Sequence, residues 1–364
     1  MAANFDLARM ALQGCCPGNE ILYDNLGLPS IMVRVPKLTY RQLGMGESDA
    51  VHPAFIIDGQ EVDELYISKY QNVVNNSRAY SLAGVDPKTS INFDAAREAC
   101  ENKGEGWHLM TRMEWGLFVR WCQNNGVMPK GNNNYGKHNT ESSYKAIPAN
   151  KDDTHYALRT MTGTGPTTWY HDQTPSGAAD MCGNVAEWTG GVRTVKGELQ
   201  VLANNNAADM DNPQSASSTE WKAIKASDGS LITPNGNGTT SGSIKMDCQS
   251  GKLVYNTSIT GATGNGDTLY SSCTFANISC ASAISANAKL LLQNLGMLQY
   301  GSTNELFSGH LNYWDNQSDE RLFYSGGSYH YTSCGMASFH GGNPRSNAGG
   351  NGGFRSAYAK RKTV

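Results

Sequence analysis

The sequence predicts an α+β protein, because strand signals and helix signals occur in different stretches of the chain. Residues 54–57 and 64–69 are two predicted strands, and Asp58 and Gly59 mark a hairpin turn between them. Two helix signals follow these strands. Residues 194–295 are polar and rich in Gly, Ser, Thr and Asn, with short alternating segments that predict a β-rich insertion.

Capping residues mark the start of both predicted helices. Asn92 can cap residues 93–100, whose small and apolar positions share one face. Thr111 and Glu114 have the spacing of a capping box, in which each side chain bonds to the backbone of the other residue. Trp115 then begins an apolar stripe at helical spacing, so we expect it in the core.

The composition excludes several classes of protein. The 364 residues carry 29 basic and 32 acidic side chains, a formal net charge of -3, which predicts no nucleic-acid partner. No apolar run is long enough for a membrane span. Residues 1–16 lack the features of a secretory signal, so a role outside the cell would require another route of export.

The nine cysteines are too sparse for a disulfide framework and too scattered for a zinc site. We expect reduced thiols that are mostly buried, because free cysteine usually packs as a small apolar side chain. Cys273 and Cys280 could form a bridge, and the sequence leaves that question open.

Residues 1–48 combine a short helical opening with an extended apolar segment at 31–36. The stretch is too short to bury a core of its own. We therefore expect an attachment or oligomerisation arm, followed by one domain over residues 49–364.

Residues 324–358, called the C-terminal segment below, consist largely of Gly, Ser, Asn, Ala, His and Tyr. The segment contains no Val, Ile or Leu, so we do not expect its interior to form a conventional core strand. Clustered turn residues favour surface loops, and Tyr and His supply contact area at low entropic cost. The composition therefore predicts a binding surface.

Residues 176–188 form a tight apolar and aromatic stretch with two carboxylates. Asp180 and Glu187 could direct oxygens at one centre, with the carbonyls of Gly183 and Val185 completing an all-oxygen shell suited to calcium. The alternative is a structural turn in which Glu187 is hydrogen-bonded to the backbone. Spacing alone favours the structural turn.

Taken together, these features resemble a formylglycine-generating-enzyme-type domain, which is a variant of the C-type lectin fold. The resemblance runs from about residue 52 to residue 361 and is interrupted by the insertion. It implies a C-type lectin fold and a calcium ion at Asp180, Gly183, Val185 and Glu187. The landmarks that carry it are residues 66–70, 109–115, 183–188, 326–328 and 353–355.

Enzymatic members of that family use a pair of copper-binding cysteines shortly after the Gly-Gly-Ser of residues 326–328. In this sequence the pair falls on Tyr331 and Met336, which cannot act as thiolate ligands. Cys334 is the nearby thiol and has no partner in the segment. We therefore expect no enzymatic activity and no cofactor required for chemistry, with structural calcium the one cofactor that the resemblance implies.

The C-terminal segment also resembles the variable region of diversity-generating-retroelement proteins, which display a hypervariable ligand-binding face on this fold. If residues 347–351 are extended, Asn347, Gly349 and Asn351 point to one side. Arg345, Phe354, Arg355 and the run 335–339 look invariable. The resemblance and the composition assign ligand binding to Tyr329, His330, Tyr331, Ser333, His340, Gly342, Asn343, Asn347, Gly349 and Asn351.

Two alternatives apply to these side chains. His330 and His340 fit two unpaired surface histidines better than a metal pair, because no third ligand has suitable spacing. For the tyrosines the alternative is ordinary packing within a loop. The concentration of aromatic and small polar residues in one segment favours a contact surface.

These inferences predict a non-enzymatic, hypervariable ligand-binding protein that acts as a receptor-binding adhesin. The expected ligand is a surface protein or glycan of a host cell. The expected location is a phage virion, with residues 1–48 joined to a phage structural protein. A bacterial cell surface is the alternative location. The alternative functions are a copper-dependent cysteine-oxidising enzyme with relocated ligands and a polysaccharide-binding module of fixed specificity.

Overall fold

The computed structural model describes residues 2–264, 268–301 and 305–360, so residues 265–267 of the predicted insertion and 361–364 of the predicted domain lie outside it. The described residues form an α+β structure that is rich in sheet, as predicted. The helices are α1 (Ala2–Cys15), α2 (Phe93–Glu101), α3 (Arg112–Asn124) and α4 (Ala286–Asn294). The strands are β1 (Asn19–Tyr23), β2 (Pro29–Pro36), β3 (Ile56–Ile57), β4 (Gln60–Glu61), β5 (Glu64–Ser68), β6 (Val73–Asn75), β7 (Arg78–Tyr80), β8 (Trp107–Leu109), β9 (Ala186–Val195), β10 (Glu198–Val201), β11 (Lys222–Ile224), β12 (Leu231–Ile232), β13 (Lys245–Gln249), β14 (Lys252–Asn256), β15 (Ser271–Thr274), β16 (Ser279–Cys280), β17 (Leu311–Trp314), β18 (Arg321–Ser325), β19 (Phe339–Asn343), β20 (Gly352–Phe354) and β21 (Ser356–Tyr358).

A five-stranded sheet brings together strands from the two ends of the chain in the order β1-β2-β5-β21-β8. Strand β2 pairs antiparallel with β5, and Met32 and Val33 are buried there. Residues 1–48 therefore do not form a separate arm, since β1 and β2 extend the sheet of the domain and α1 alone precedes that sheet. A strand too short to bury its own core is stabilised when it joins an existing sheet.

The larger sheet is built in the order β15-β17-β19-β18-β9-β10-β13-β14-β16, with β11 and β12 beside β10 and with β20 beside β9. Every residue of β9 is buried. The region predicted as an insertion supplies strands at both edges of this sheet. Strand β15 comes from that region and pairs with β17, next to the strands of the C-terminal segment.

The predicted hairpin is correct at its turn and wrong in its pairing. Asp58 and Gly59 adopt positive φ angles of 49° and 74°, which suit a two-residue hairpin turn. The turn connects β3 to the two-residue strand β4, whereas β5 pairs with β2 and β21. Turn chemistry is local, but the partner of a longer strand is set by distant segments that cover its apolar face.

The helix starts are confirmed. The Asn92 side chain accepts a hydrogen bond from a first-turn N–H at 2.9 Å. The capping box of α3 is complete, because Glu114 N–H donates to Thr111 Oγ1 at 3.1 Å and Thr111 N–H donates to Glu114 Oε2 at 2.9 Å. Trp115 is fully buried, and its indole N–H donates to the carbonyl of Met336 at 2.8 Å. Helix α3 thereby contacts the C-terminal segment through Trp115 and Met336.

No helix within the described ranges has the length and apolarity needed to cross a membrane.

All nine cysteines are free, including Cys273 and Cys280, and five of the nine are buried.

Lys103 is a fully buried cation. Its ammonium group donates to Ser30 Oγ at 2.8 Å and lies 3.2 Å from the centre of the Trp107 ring, with the charges of Asp24 and Arg78 nearby. Burial lowers the pKa of Lys103 from 10.5 to about 7. The cause is desolvation, which penalises the charged form.

We expect stability to rise with pH between these two pKa values. In that window the unfolded chain binds a proton at Lys103 that the folded protein does not bind, so alkaline conditions favour folding. One pKa unit corresponds to about 1.4 kcal/mol, so the contribution of Lys103 should grow by about 1–3 kcal/mol from about pH 7 to pH 9. Urea unfolding should show this slope for wild type and for exposed Lys252→Met, but not for Lys103→Met. A slope that survives in Lys103→Met contradicts the assignment.

Candidate ligand-binding site

One pocket lies beneath the C-terminal segment and is called the tyrosine pocket below. Its volume is about 280 Å³, close to the lower end of the range for small-molecule sites. Tyr270, Tyr313 and Tyr324 form part of its wall. Seven of the ten residues predicted to bind ligand line it, namely Tyr331, His340, Gly342, Asn343, Asn347, Gly349 and Asn351.

Part of the segment's interior forms a sheet strand, contrary to the sequence prediction. Strand β19 pairs antiparallel with β18 and parallel with β17. Its glycines allow this without large apolar side chains, since a Cβ at Gly341 would lie 2.4 Å from the Phe323 ring. Strand β19 can pack closely against Phe323 because Gly341 has no side chain. The pairing of β19 with its neighbours holds His340 and Gly342 at the pocket.

Residues 344–351 form the loop that covers the pocket between β19 and β20. Asn347, Gly349 and Asn351 line the pocket, whereas Ala348 and Gly350 are exposed. The end of the loop is fixed because β20 pairs parallel with β9. Alternate residues of the loop therefore face the pocket and the solvent, although this loop is not a strand.

Aromatic rings pack against one another around His340. The imidazole stacks on Tyr313 with a centroid distance of 4.7 Å and meets the edge of Tyr270 at 5.1 Å. The Gly342 N–H donates to its Nδ1 at 3.2 Å. Burial lowers the pKa of His340 to about 4, so the ring is neutral at pH 7. His340 is thus a packed, partly buried residue and not an unpaired surface histidine.

The pocket carries polar groups but no charge. None of its lining residues is Asp, Glu, Lys or Arg. Among the described residues, no hydrogen-bond partner is found for the hydroxyls of Tyr270, Tyr313 and Tyr331, which leaves them available to a ligand. The Asn347 amide donates to Asn343 Oδ1 at 3.2 Å. This arrangement can bind an uncharged polar group against aromatic faces, and with neutral His340 it contains no group that titrates near pH 7.

Three of the predicted residues lie outside the tyrosine pocket. The carbonyl of Tyr329 accepts a hydrogen bond from the Tyr135 N–H at 2.8 Å. His330 is half-buried, and its ring lies 4.1 Å from that of Tyr331. Ser333 lines a separate cavity of about 350 Å³. In the part of the chain that the structure describes, no three His, Cys, Asp or Glu side chains are grouped to hold a metal ion.

Two pocket residues outside the C-terminal segment, and one residue that supports the segment, were not predicted from the sequence. Tyr270 and Tyr313 lie on or beside β15 and β17, and their place at the pocket depends on the pairing of β17 with β19. Asn133 lies between α3 and β9 and is 1% exposed. Its amide donates to the carbonyls of Thr332 and Cys334, both at 3.2 Å, and so positions the loop beside Tyr331. No local signal in the sequence indicates these contacts.

The turn that the resemblance assigns to calcium does not fit the ion. The amide nitrogen Nε2 of Gln71 lies within hydrogen-bond distance of the carbonyl oxygens of Asp180 at 3.1 Å, Gly183 at 3.3 Å and Val185 at 3.0 Å. Glu187 Oε1 is the fourth acceptor at 2.9 Å, and the four acceptors share the two N–H groups of this nitrogen. The four residues predicted to bind a cation therefore surround a side-chain amide.

The carboxylate of Glu187 also has a cationic partner within the protein. Arg355 donates to Glu187 Oε2 at 2.6 Å and to Oε1 at 2.7 Å, and both side chains are 0–1% exposed. Glu187 therefore bonds to two side chains, not to the backbone as the structural-turn alternative proposed. This buried pair ties β20 to β9.

Cysteine chemistry near the segment is limited by burial. Cys182 and Cys334 interact electrostatically, and desolvation raises their pKa values to about 12 and about 11. Both groups are therefore protonated thiols at pH 7 in the metal-free protein. Met336, one of the two positions that the resemblance aligns with copper-binding cysteines, is fully buried.

The fold and the pocket define an α+β protein with an uncharged, ligand-sized site. The chain matches no protein-family model and no curated protein. Among solved structures it is similar to PvdO from Pseudomonas aeruginosa, with 12% identity, 94% of this chain and 99% of that chain covered, and a TM-score of 0.33. It is also similar to Treponema denticola variable protein 1, with 10% identity, 94% of this chain and 100% of that chain covered, and a TM-score of 0.31. TM-scores of 0.33 and 0.31 are too low to establish a common fold.

Proposed function

We propose that this protein is a non-enzymatic ligand-binding protein whose C-terminal segment forms a diversified binding surface. The observation that carries the proposal is the convergence of seven predicted ligand-binding residues on the tyrosine pocket. Loops that only cover a core would direct such residues in many directions. A segment that presents them at one cavity is suited to recognition.

The division of the segment into buried and accessible positions supports a surface that tolerates sequence change. Met336, Phe339 and Phe354 are 0–1% exposed and pack in the core. Arg345 forms an ion pair with Glu320 at 2.8 Å. The seven lining residues are instead partly accessible. Substitution at accessible positions usually costs little stability, so these residues can vary while the frame persists.

We extend the proposal to a C-type-lectin-type fold related to the formylglycine-generating enzymes. The pairing of the last two strands of the chain supports this part of the proposal. Strand β21 pairs with β5 and β8, so the last described strand lies between strands from the first third of the chain. Strand β20 pairs with β9 at Ala186–Trp188. The sequence landmarks of the resemblance are therefore neighbours in space.

A ligand-binding role without catalysis is supported by the state of the thiols. Cys182 and Cys334 are protonated at pH 7 because burial raises both pKa values. Incubation with copper and a cysteine-containing peptide tests this part of the proposal. We expect no oxidation of the peptide. Turnover that is lost in Cys334→Ser would instead support a cysteine-oxidising enzyme with relocated ligands.

We propose a surface protein or glycan of a host cell as the ligand and a phage virion as the carrier. Leu7 and Met10 of α1 are 64% and 67% exposed, which supports attachment of this helix to a phage structural protein. The neighbouring DNA tests the proposal of diversification. We expect a reverse transcriptase gene and a near-copy of the segment that encodes residues 324–355. A genome without them favours a binding module of fixed specificity.

A library experiment tests the display surface without knowledge of the ligand. We would randomise Tyr331, Asn343, Asn347 and Asn351 on displayed protein and score folding by resistance to protease. Most members should remain folded, because these side chains are not part of the core. A matched library at the buried frame residues Met336, Ala337 and Phe354, which do not line the pocket, should mostly unfold. Equal tolerance in the two libraries would contradict the division into frame and surface.

The same library provides a ligand screen. Wild-type protein would be applied to arrays of glycans and of bacterial envelope proteins, and the library would be selected against one protein target. We expect binders whose substitutions cluster at the tyrosine pocket. Selected binding that survives restoration of the wild-type pocket residues would place recognition elsewhere.

A further inference from the structure

We infer that Gln71 and Arg355 take the place of a metal ion at residues 180–187, so the chain's own donors hold this part of the fold. Three backbone carbonyls and one carboxylate surround the Gln71 amide nitrogen. Oxygens of these kinds are the ligands of hard cations. In this protein they accept hydrogen bonds from an amide.

The orientation of the Gln71 amide is set by its other neighbours. Its Oε1 accepts a hydrogen bond from Asn184 Nδ2 at 2.9 Å. The Asn184 Oδ1 accepts in turn from the Thr160 N–H at 2.8 Å, which fixes the Asn184 amide as well. A flipped Gln71 would direct an oxygen at four acceptors, so its nitrogen must face the carbonyls. The residue is fully buried, and this donor is therefore held in place.

Charge and distance both disfavour an ion at this position. The four oxygens lie 2.9–3.3 Å from the Gln71 nitrogen, which are hydrogen-bond lengths. Calcium requires about six to eight oxygens at about 2.3–2.6 Å. The Arg355 guanidinium pairs with the Glu187 carboxylate and would repel a divalent cation beside it. The other buried carboxylate, Asp180, accepts a hydrogen bond from the Gly163 N–H at 2.9 Å.

The hydrogen bonds of Arg355 also anchor part of the proposed binding surface. Gly353 lies opposite Glu187 in the pairing of β20 with β9, and Arg355 is the first residue after β20. Arg355 also donates to the carbonyls of Ser68 at 2.9 Å and Ala179 at 3.0 Å. These bonds anchor the end of the loop that covers the tyrosine pocket. The loop over the tyrosine pocket is therefore held in place by hydrogen bonds within the protein and does not require a bound metal ion.

Thermal unfolding of the wild-type protein is the first test. We expect the same Tm, within about 1 °C, in EDTA and in calcium chloride, because no bound ion contributes to stability. Terbium luminescence supplies an independent probe, and we expect no saturable binding of Tb³⁺. A lower Tm in EDTA, or one Tb³⁺ bound per chain and displaced by calcium, would overturn the inference.

A matched pair of double variants is the second test. Gln71→Ala with Arg355→Ala removes both internal donors and leaves Glu187 facing the three carbonyls. We expect calcium to raise the Tm of this variant by at least about 5 °C over its value in EDTA. Gln214→Ala with Arg355→Ala is the control, since Gln214 is equally buried but bonds to Ala207 and Gly191. Its Tm should not respond to calcium.

These outcomes separate replacement of a metal from ordinary hydrogen bonding. If calcium raises the Tm of neither double variant, or of both equally, Gln71 does not occupy a cation position and the inference fails. Should the Gln71 double variant not fold in EDTA, its refolding yield with and without calcium answers the same question. The expected result is a higher yield with calcium for that variant alone.

Discussion

Arg355→Met is expected to lower the free energy of unfolding by about 3–5 kcal/mol. The substitution leaves the Glu187 carboxylate buried without its cationic partner, and it also removes the donors to Ser68 and Ala179. Arg355→Lys keeps the charge but loses the two-pronged geometry, so we expect an intermediate loss. Urea unfolding followed by circular dichroism measures each value.

An exposed ion pair provides the control for this prediction. Arg41 bonds Glu47 and Asp49, but its side chain is 49% exposed and theirs are 91% and 74% exposed. Arg41→Met should cost less than about 1 kcal/mol, because solvent screens such pairs. If Arg41→Met and Arg355→Met were equally destabilising, burial would not explain the importance of Arg355.

Replacing Tyr331, Asn347 and Asn351 together with alanine is expected to weaken ligand binding by at least about 100-fold. The three residues lie on different parts of the tyrosine pocket wall, so the variant removes an aromatic face and two amides at once. The Tm should fall by only a few degrees, because all three are partly exposed. Calorimetry with the ligand recovered from the arrays measures the affinity.

The control for the pocket variant comes from the same segment. Tyr329 and His330 are polar aromatic residues that precede Tyr331, but they do not line the tyrosine pocket. Replacing both with alanine should change the affinity by no more than about threefold. A large loss in this control, with binding retained in the pocket variant, would place the ligand on the outer side of the segment.

Local signals in the sequence predicted local structure well. The caps at Asn92 and Thr111 depend on residues within one turn, and both are present. Asp58 and Gly59 form the predicted turn for the same reason. The pairing of β5 was predicted incorrectly because it depends on β2 and β21, which are distant in sequence. The sequence alone contains no information of comparable strength about such distant pairs.

The candidate site also contains residues that the sequence predicted and residues that only the tertiary structure brought there. The resemblance and the composition of residues 324–358 together indicated which side chains could bind, and seven of the ten selected residues share one pocket. The contributions of Tyr270 and Tyr313 could not be predicted, because they result from sheet order. The resemblance implied a calcium site at Asp180 and Glu187, but Gln71, which is distant in the sequence, directs its amide nitrogen at Glu187 and the neighbouring carbonyls.

The sequence by itself determined the α+β class, the helix starts and the location of a Tyr- and Asn-rich surface near the C-terminus, since each follows from neighbouring residues. The tertiary structure alone decided which of those residues share the tyrosine pocket and which groups surround Glu187. The physical reason is that caps and turns are closed by adjacent residues, whereas a pocket and a buried charge are completed by segments that meet only after the sheets have formed.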